Sequence, residues 1–350
     1  MSTRISAEGF SPSGWGAYEF ESGPSGVQAV RAIEKADAFL IPGFVDVHIH
    51  GAFGIDFMSA STSEILAWAD KLADEGYESF FPTTVTASVD DVESALANLP
   101  ENHPMIPGFH LEGPFISQVF PGAQPPQFIS DAPDGAWKTV LNDPRLRLIT
   151  LAPENPGILP TIADLTARGV VVSAGHTNAT FDEISSAVEH GLSHATHTYN
   201  AMRGLHHREA GTLGAVLTHD AITAELIYDR LHVSRPAAEV LLRTKPDDKV
   251  IGISDCTQAK GMPPGTTYKM WDHEVVVGQG DVRLAANGAL AGSSATLLDV
   301  FRNLAEDFGP EVATRLCAIN PRSEFKLGEA RRWIYLDQNL HIKNFIHSVP

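Results

Sequence analysis

The chain has 350 residues, 43% apolar and 19% charged, with 25 basic against 43 acidic side chains and a net charge of −18 with His neutral. That is enough for one large domain and a small one, and the charge argues against a nucleic-acid face or docking on anionic lipid. No run of about 18 apolar residues marks a membrane span, and the polar first ten residues lack a secretory apolar core. Two cysteines, Cys256 and Cys317, make no disulfide framework, so a reducing cytoplasm is the expected compartment.

In chain order, residues 1–42 are rich in Gly, Ser and Pro, with short strand candidates at 16–20 and 38–41. Short apolar runs then alternate with amphipathic segments. Eight strand candidates fall at 44–48, 77–83, 106–112, 146–152, 170–176, 193–197, 223–229 and 250–255. They are mostly continuous apolar runs rather than alternating ones, as expected of parallel strands covered by helices. Ser61 with Glu64 predicts a capping box, with Gly76 as the stop, and Thr180 with Glu183 predicts a second, with Gly191 as its stop. Ser88 with Asp91 is a weaker start, and Ser234 before Arg235 and Pro236 is a further N-cap candidate. Gly278–Gly280 predicts a hairpin between 274–277 and 282–285, inserted after the eighth strand. Residues 333–336 and 341–346 alternate like strands.

Eight strand–helix units predict an α/β fold, a (β/α)8 TIM-like barrel over 43–321 with reactive groups at the carboxyl ends of its strands. An open doubly wound sheet is the alternative, but no glycine-rich dinucleotide fingerprint follows the first strand. Residues 1–42 and 322–350 are expected to join in a small, reduced β-sandwich domain.

The strand ends carry the chemistry. The first ends Asp46-Val47-His48-Ile49-His50, and in an extended chain His48 and His50 point to one side. With 15 histidines in the chain, one such pair arises by chance, so alone it decides nothing. The third strand ends His110-Leu111-Glu112-Gly113-Pro114, the fifth reaches His176, the sixth His197 and the eighth Asp255. Singly, each is more often a structural rim residue. Jointly they put imidazoles and carboxylates on one rim, the ligand chemistry of Zn²⁺, Fe²⁺ or Mn²⁺. A bound metal lowers the pKa of water from about 16 to about 7 and polarises a carbonyl. A nearby carboxylate, for which Asp255 is the candidate, takes the water proton and returns it to a leaving amine. The expected reaction is metal-assisted hydrolysis of an amide or ester.

These segments resemble the amidohydrolase superfamily and, within it, the deacetylases of N-acetylglucosamine 6-phosphate. The likeness runs through Pro42-Gly43-Phe44-Val45-Asp46-Val47-His48-Ile49-His50-Gly51, Phe81-Pro82-Thr83 and His110-Leu111-Glu112-Gly113-Pro114-Phe115. It continues through Ala174-Gly175-His176-Thr177, Ala195-Thr196-His197-Thr198-Tyr199-Asn200-Ala201-Met202, Leu205-His206-His207-Arg208-Glu209, Ser254-Asp255 and Leu290-Ala291-Gly292-Ser293. It covers about residues 40–325. The resemblance implies Glu112, His176 and His197 as ligands of a principal metal, with His48 and His50 for a second ion in members that have two. It implies Asp255 as the catalytic carboxylate, also at the metal, and His232 as the histidine that polarises the acetyl carbonyl. Asn200, Ala201 and Arg208 match the region that holds the sugar phosphate. In the family that arginine comes from a neighbouring subunit, so a homodimer is implied. One or two divalent ions are expected, zinc first, with iron or manganese as alternatives.

The chain also departs from the family. Where relatives have Lys-Gly-Ala-His, it reads Pro121-Gly122-Ala123-Gln124. That histidine contacts the sugar in relatives, so Gln124 is a candidate substrate contact that hydrogen-bonds without titrating. Cys256 follows Asp255 where a small alanine is usual, and reads as a small buried apolar residue. Two rivals to the expected activity follow. One is a deacetylase of another sugar phosphate, such as the galactosamine epimer. The other is a silent barrel acting as a binding module, whose metal ligands should have been lost.

Overall fold

The computed structural model describes residues 3–23 and 26–347. Eight parallel strands form at Phe44–Ile49, Tyr77–Pro82, Phe109–Glu112, Leu146–Leu151, Val171–Ala174, His194–Ala195, Thr223–Ile227 and Val250–Ile253, one for each expected strand. The last six make one sheet and the first two another. Parallel bridges close both seams, Thr83 to His110 and Ile49 to Cys256. The ring is therefore complete, and all eight carboxyl ends open on one mouth.

Burial explains why these short runs pair this way. Val45, Val47, Phe81, Leu148, Ile227, Ile251 and Ile253 fill the barrel interior with Phe325, whose ring sits edge-on to Phe81 at 4.9 Å. The outward residues, with Trp68, Ile65 and Leu72 among their partners, form the larger core under the helices. The helix Thr62–Asp74 starts at Ser61 with the expected reciprocal capping box, and Phe181–Glu189 starts the same way at Thr180. Gly76 and Gly191 stop them at φ +93° and +107°, the left-handed region glycine enters without penalty. Ser88 caps Val89–Ala97 through its hydroxyl. Ser234 is the N-cap of Arg235–Thr244, but its side chain makes no capping bond; Pro236 in the first turn already removes one of the amides it would serve.

The described residues of both termini share one six-stranded sheet. Thr3–Ser11, Gly14–Gly23 and Gly26–Ala32 make a meander, which Ala38–Pro42 joins to Arg332–Asp337 and Ile342–His347. The two termini therefore share hydrogen-bonded pairing, as the expectation of one small β domain required. Its small core is Ala7, Phe20 and Leu40. The expected hairpin is present, His273–Val277 against Asp281–Leu284. It belongs to a larger four-stranded antiparallel sheet with Thr267–Met270 and Leu290–Ser293, whose loops reach the barrel mouth. No helix among the described residues is long and apolar enough to cross a membrane.

Candidate active site

The polar strand ends converge as a pair of three-donor groups. Pairing between the first two strands shifts register between Asp46 and Ile49. From there His48 and His50 face the mouth while Ile49 packs into the helix-side core. Their Nε2 atoms lie 3.3 Å apart. Asp255 Oδ1 lies 3.5 Å from His48 Nε2 and 3.2 Å from His50 Nε2. In the second group, Glu112 Oε1 lies 3.2 Å from His176 Nε2 and 3.3 Å from His197 Nε2, with 3.1 Å between the two nitrogens. Glu112 joins the groups, its Oε1 being 3.4 Å from His48 and its Oε2 3.3 Å from His50.

This spacing fits a metal ion. Donors on a tetrahedral ion with bonds near 2.0–2.1 Å lie about 3.3–3.4 Å apart, and the donors within each group here lie between 3.1 and 3.5 Å from one another. All six side chains are buried, and imidazole lone pairs are not brought face to face in a protein interior without a proton or an ion between them. Both groups are thus compatible with a divalent metal.

The backbone at these positions is unusual for residues with side chains. His176, His197 and Asp255 have φ of +47°, +28° and +48°, and Tyr199 and Ala201 follow at +82° and +47°. Each marks a sharp turn as the chain leaves its strand, of the kind that costs about 1–3 kcal/mol and gathers at functional sites. A second constraint is steric. A Cβ on Gly122, itself at φ +57°, would sit 3.0 Å from His176 Cε1.

Outer partners fix the ligands. Glu225 Oε2 accepts from His48 Nδ1 at 2.9 Å and from the His197 amide at 3.0 Å. That commits Nε2 of His48 to the mouth. Glu225 Oε1 meets His194 Nε2 at 3.1 Å, and His194 Nδ1 meets Glu324 Oε1 at 2.9 Å. Burial disfavours charge on His194, yet these two carboxylates push it up to about 10. His176 Nδ1 donates to the Phe120 carbonyl at 3.0 Å. Glu112 is opposed by burial, but His48, His176 and His197 hold it well below the usual carboxylate range. Burial likewise opposes Asp255, and the His50 hydrogen bond and the His48 charge keep it low. Both carboxylates are therefore ionised at neutral pH. His50, disfavoured as a cation by burial, is pushed up to about 9 by Asp255 and Glu112. An arriving ion displaces those protons, so metal affinity falls as pH falls.

The mouth above these groups is lined by His50, Glu112, Gln124, His176, His197, Asn200, Ala201, His232, Asp255 and Trp271, among others. His232 Nδ1 donates to Asp229 Oδ2 at 2.7 Å, which leaves Nε2 for the pocket. Burial lowers its basicity, but the Asp229 carboxylate more than offsets this and raises it. Gln124 lines the pocket but is nearly buried, and both ends of its amide are engaged. Nε2 donates to Glu112 Oε2 at 2.6 Å and Oε1 accepts from the Thr86 amide at 2.7 Å. Its visible task is to hold a metal-group carboxylate. Arg208 is exposed, does not line this pocket, and contacts His207 Nε2 at 2.6 Å.

Every candidate residue but Arg208 therefore reaches one mouth. Sequence reasoning passed over Glu225, Asp229 as the partner of His232, and Trp271. Glu225 did leave a signal, a lone charge inside the apolar run Thr223–Ile227.

Residues 39–323 match the amidohydrolase family. The chain is 38% identical to the N-acetylglucosamine-6-phosphate deacetylase of Lysinibacillus sphaericus over 86% of this chain and 80% of that one. It is 33% identical to the N-acetylgalactosamine-6-phosphate deacetylase of Escherichia coli O157:H7 over 90% and 88%. The crystal structure of the Thermotoga maritima N-acetylglucosamine-6-phosphate deacetylase superposes with a TM-score of 0.88 at 28% identity, covering 99% of this chain and 98% of that one. A Mycobacterium smegmatis N-acetyl-D-glucosamine-6-phosphate deacetylase, a point mutant in complex with N-acetyl-D-glucosamine-6-phosphate, superposes at 0.86 with 29% identity, covering 98% and 96%. The chain belongs to the amidohydrolase family, and within it to the group of N-acetylhexosamine-6-phosphate deacetylases.

Proposed function

We propose that the chain hydrolyses the acetamide of N-acetylglucosamine 6-phosphate to glucosamine 6-phosphate and acetate. One observation carries the reading. An ionised Asp255 and a histidine with a free Nε2 face the same small mouth as Glu112, His176 and His197. The groups that amide hydrolysis calls for thus line one pocket. A silent barrel does not fit, because every ligand position is filled by a competent donor.

Glu112, His176 and His197 would hold the principal ion, and His48, His50 and Asp255 a second. We take zinc as the resident ion, on a donor set of imidazole and carboxylate that iron and manganese also accept. Such an ion polarises the acetyl carbonyl and makes water acidic enough to attack at neutral pH. Asp255 accepts the proton of the attacking water and returns it to the sugar nitrogen as the C–N bond breaks. His232 donates from Nε2 to the developing oxyanion, a contribution of about 3–4 kcal/mol for one well-placed donor. Because Nδ1 is committed to Asp229, Nε2 carries a proton only in the imidazolium form.

That coupling gives a pH test. Asp229→Asn removes the charge that raises His232, so burial lowers its pKa. The imidazolium is then lost at lower pH, and the alkaline limb of kcat/KM moves to lower pH. A pH–rate profile checks this, and an unmoved alkaline limb would show that His232 does not act as a cationic donor.

We assign Asn200 and Ala201, on the pocket rim past His197, to the sugar phosphate. Arg208 is assigned to the phosphate of a neighbouring copy in a homodimer. Its exposure on a loop with His206, His207 and an exposed Leu205 supports this, and a guanidinium fork suits phosphate. The terminal sheet is taken as a small β domain apart from the barrel at 43–321. A reducing cytoplasm is consistent with the buried free thiols of Cys256 and Cys317.

A second reading keeps the chemistry and changes the sugar to the galactosamine epimer, on which the Escherichia coli relative acts by name. The test is acetate release by metal-loaded protein from both epimers and from unphosphorylated N-acetylglucosamine. The proposal expects the highest kcat/KM for N-acetylglucosamine 6-phosphate. Preference for the other epimer would favour the second reading, and no release from any of them would defeat both.

A further inference from the structure

Trp271 stands between the reaction centre and an adjoining cleft. It lines the catalytic mouth, with its ring centroid 4.8 Å from that of His50 and the planes at 63°. It also lines a neighbouring cavity of about 300 Å³. The floor of that cavity is mixed: Val85, Ala87 and Met270 are buried and Met58 half-buried, beside the buried Asp56 and Thr86, while Asp91, Lys269 and Asp272 are exposed at its edge.

The indole is held there against local preference. Met270 pairs with His273, so Trp271 and Asp272 are the two residues of a tight turn, at φ +48° and +72°. Such turns favour Asn and Gly, since a bulky side chain at positive φ is strained by about 1–2 kcal/mol. A hydrogen bond from Trp271 Nε1 to Asp56 Oδ2, 2.9 Å, fixes the ring over His50. Strain kept at a site wall points to a task for the side chain.

We propose that Trp271 is the wall that sets the length of the N-acyl group, and that the cleft behind it is a latent subsite for a longer aliphatic acyl chain. This rests on the deacetylase reading above. Asn200 and Ala201, beside His197, lie at the phosphate end of that reading. The acyl carbonyl lies at the donor groups, and the acyl tail continues past Glu112 toward His50, where the indole stops it. The stretch of the cavity floor made by Met58, Val85, Ala87 and Met270 offers methylenes an apolar surface. The reaction is unchanged: water cleaves the C–N bond and the longer carboxylate leaves.

The experiment compares kcat/KM for N-acetyl- and N-butyrylglucosamine 6-phosphate in the metal-loaded wild type, Trp271→Ala and Trp271→Phe. One methylene at a pocket wall is worth roughly 10–200-fold in discrimination. The wild type is expected to prefer acetyl strongly. In the alanine variant the butyryl-to-acetyl ratio is expected to rise at least about tenfold, and phenylalanine, which keeps a wall, holds the preference for acetyl. Trp271→Leu gives the same reading should the alanine variant not fold. An equal loss on both substrates would make Trp271 a platform for the sugar and overturn the proposal, as would a wild type that takes both acyl groups alike. A wild type inactive on the acetyl substrate would instead overturn the deacetylase reading.

Discussion

Replacing Asp255 by Asn is expected to lower kcat by about 10²–10⁴-fold, the range a positioned acid–base group contributes, while the protein keeps the ion held by Glu112, His176 and His197. The substitution is nearly isosteric, so the turn at φ +48° and the contacts of the side chain with His48 and His50 are preserved in shape. What it removes is basicity. A carboxamide neither takes a proton from water nor returns one to a leaving nitrogen at neutral pH. The group of His48, His50 and Asp255 loses a charged donor, so metal content measured by elemental analysis is expected to fall toward one equivalent and no further. Activity within a few-fold of wild type would remove Asp255 from the proton transfers.

Glu112→Gln is expected to act differently, stripping metal rather than sparing it. The Glu112 carboxylate meets the inward ring nitrogens of both groups, with Oε1 on His176, His197 and His48 and Oε2 on His50. Its charge offsets the crowd of imidazoles, and Gln124 and the Thr84 hydroxyl hold it in place, the latter through the Glu112 amide at 3.2 Å. Loss of an outer partner of a metal ligand costs roughly 10–100-fold in affinity. Loss of the shared ligand itself is expected to cost more, with activity falling in step. A metal titration followed by calorimetry checks it. Wild-type affinity in the variant would mean that the ion sits elsewhere.

Much of this site was legible before any fold was known, because barrel chemistry is written at strand ends. Glu112, His176, His197 and Asp255 each fall at the end of a strand candidate, and a closed ring of eight strands brings those ends to one mouth. The pair His48 and His50 was readable from period two. The barrel itself was readable from eight short, mostly apolar runs with helix caps between them. Contacts across the ring were not, since they depend on which strands become neighbours and on register. Glu225 reaches His48 across 177 positions, and only the tertiary pairing shows it. The inward turn of Gln124 depends on the loop after Gly113, whose own Cβ would run into Thr86 Oγ1. Trp271 sits in a turn that sequence preference assigns to Asn or Gly, so nothing local marked it. The terminal sheet was foreseen as to its strands at 38–41 and 333–336. The order of its strands was not, because alternation identifies a strand but not which strand pairs with it.

The most direct measurement is anomalous diffraction from crystals of the metal-loaded protein, collected on both sides of the absorption edge of the added ion. The account predicts a peak within bonding distance of Glu112, His176 and His197, with a weaker or second peak among His48, His50 and Asp255. A fully loaded crystal with no peak between those three side chains, or with its ion bound elsewhere on the chain, would contradict it.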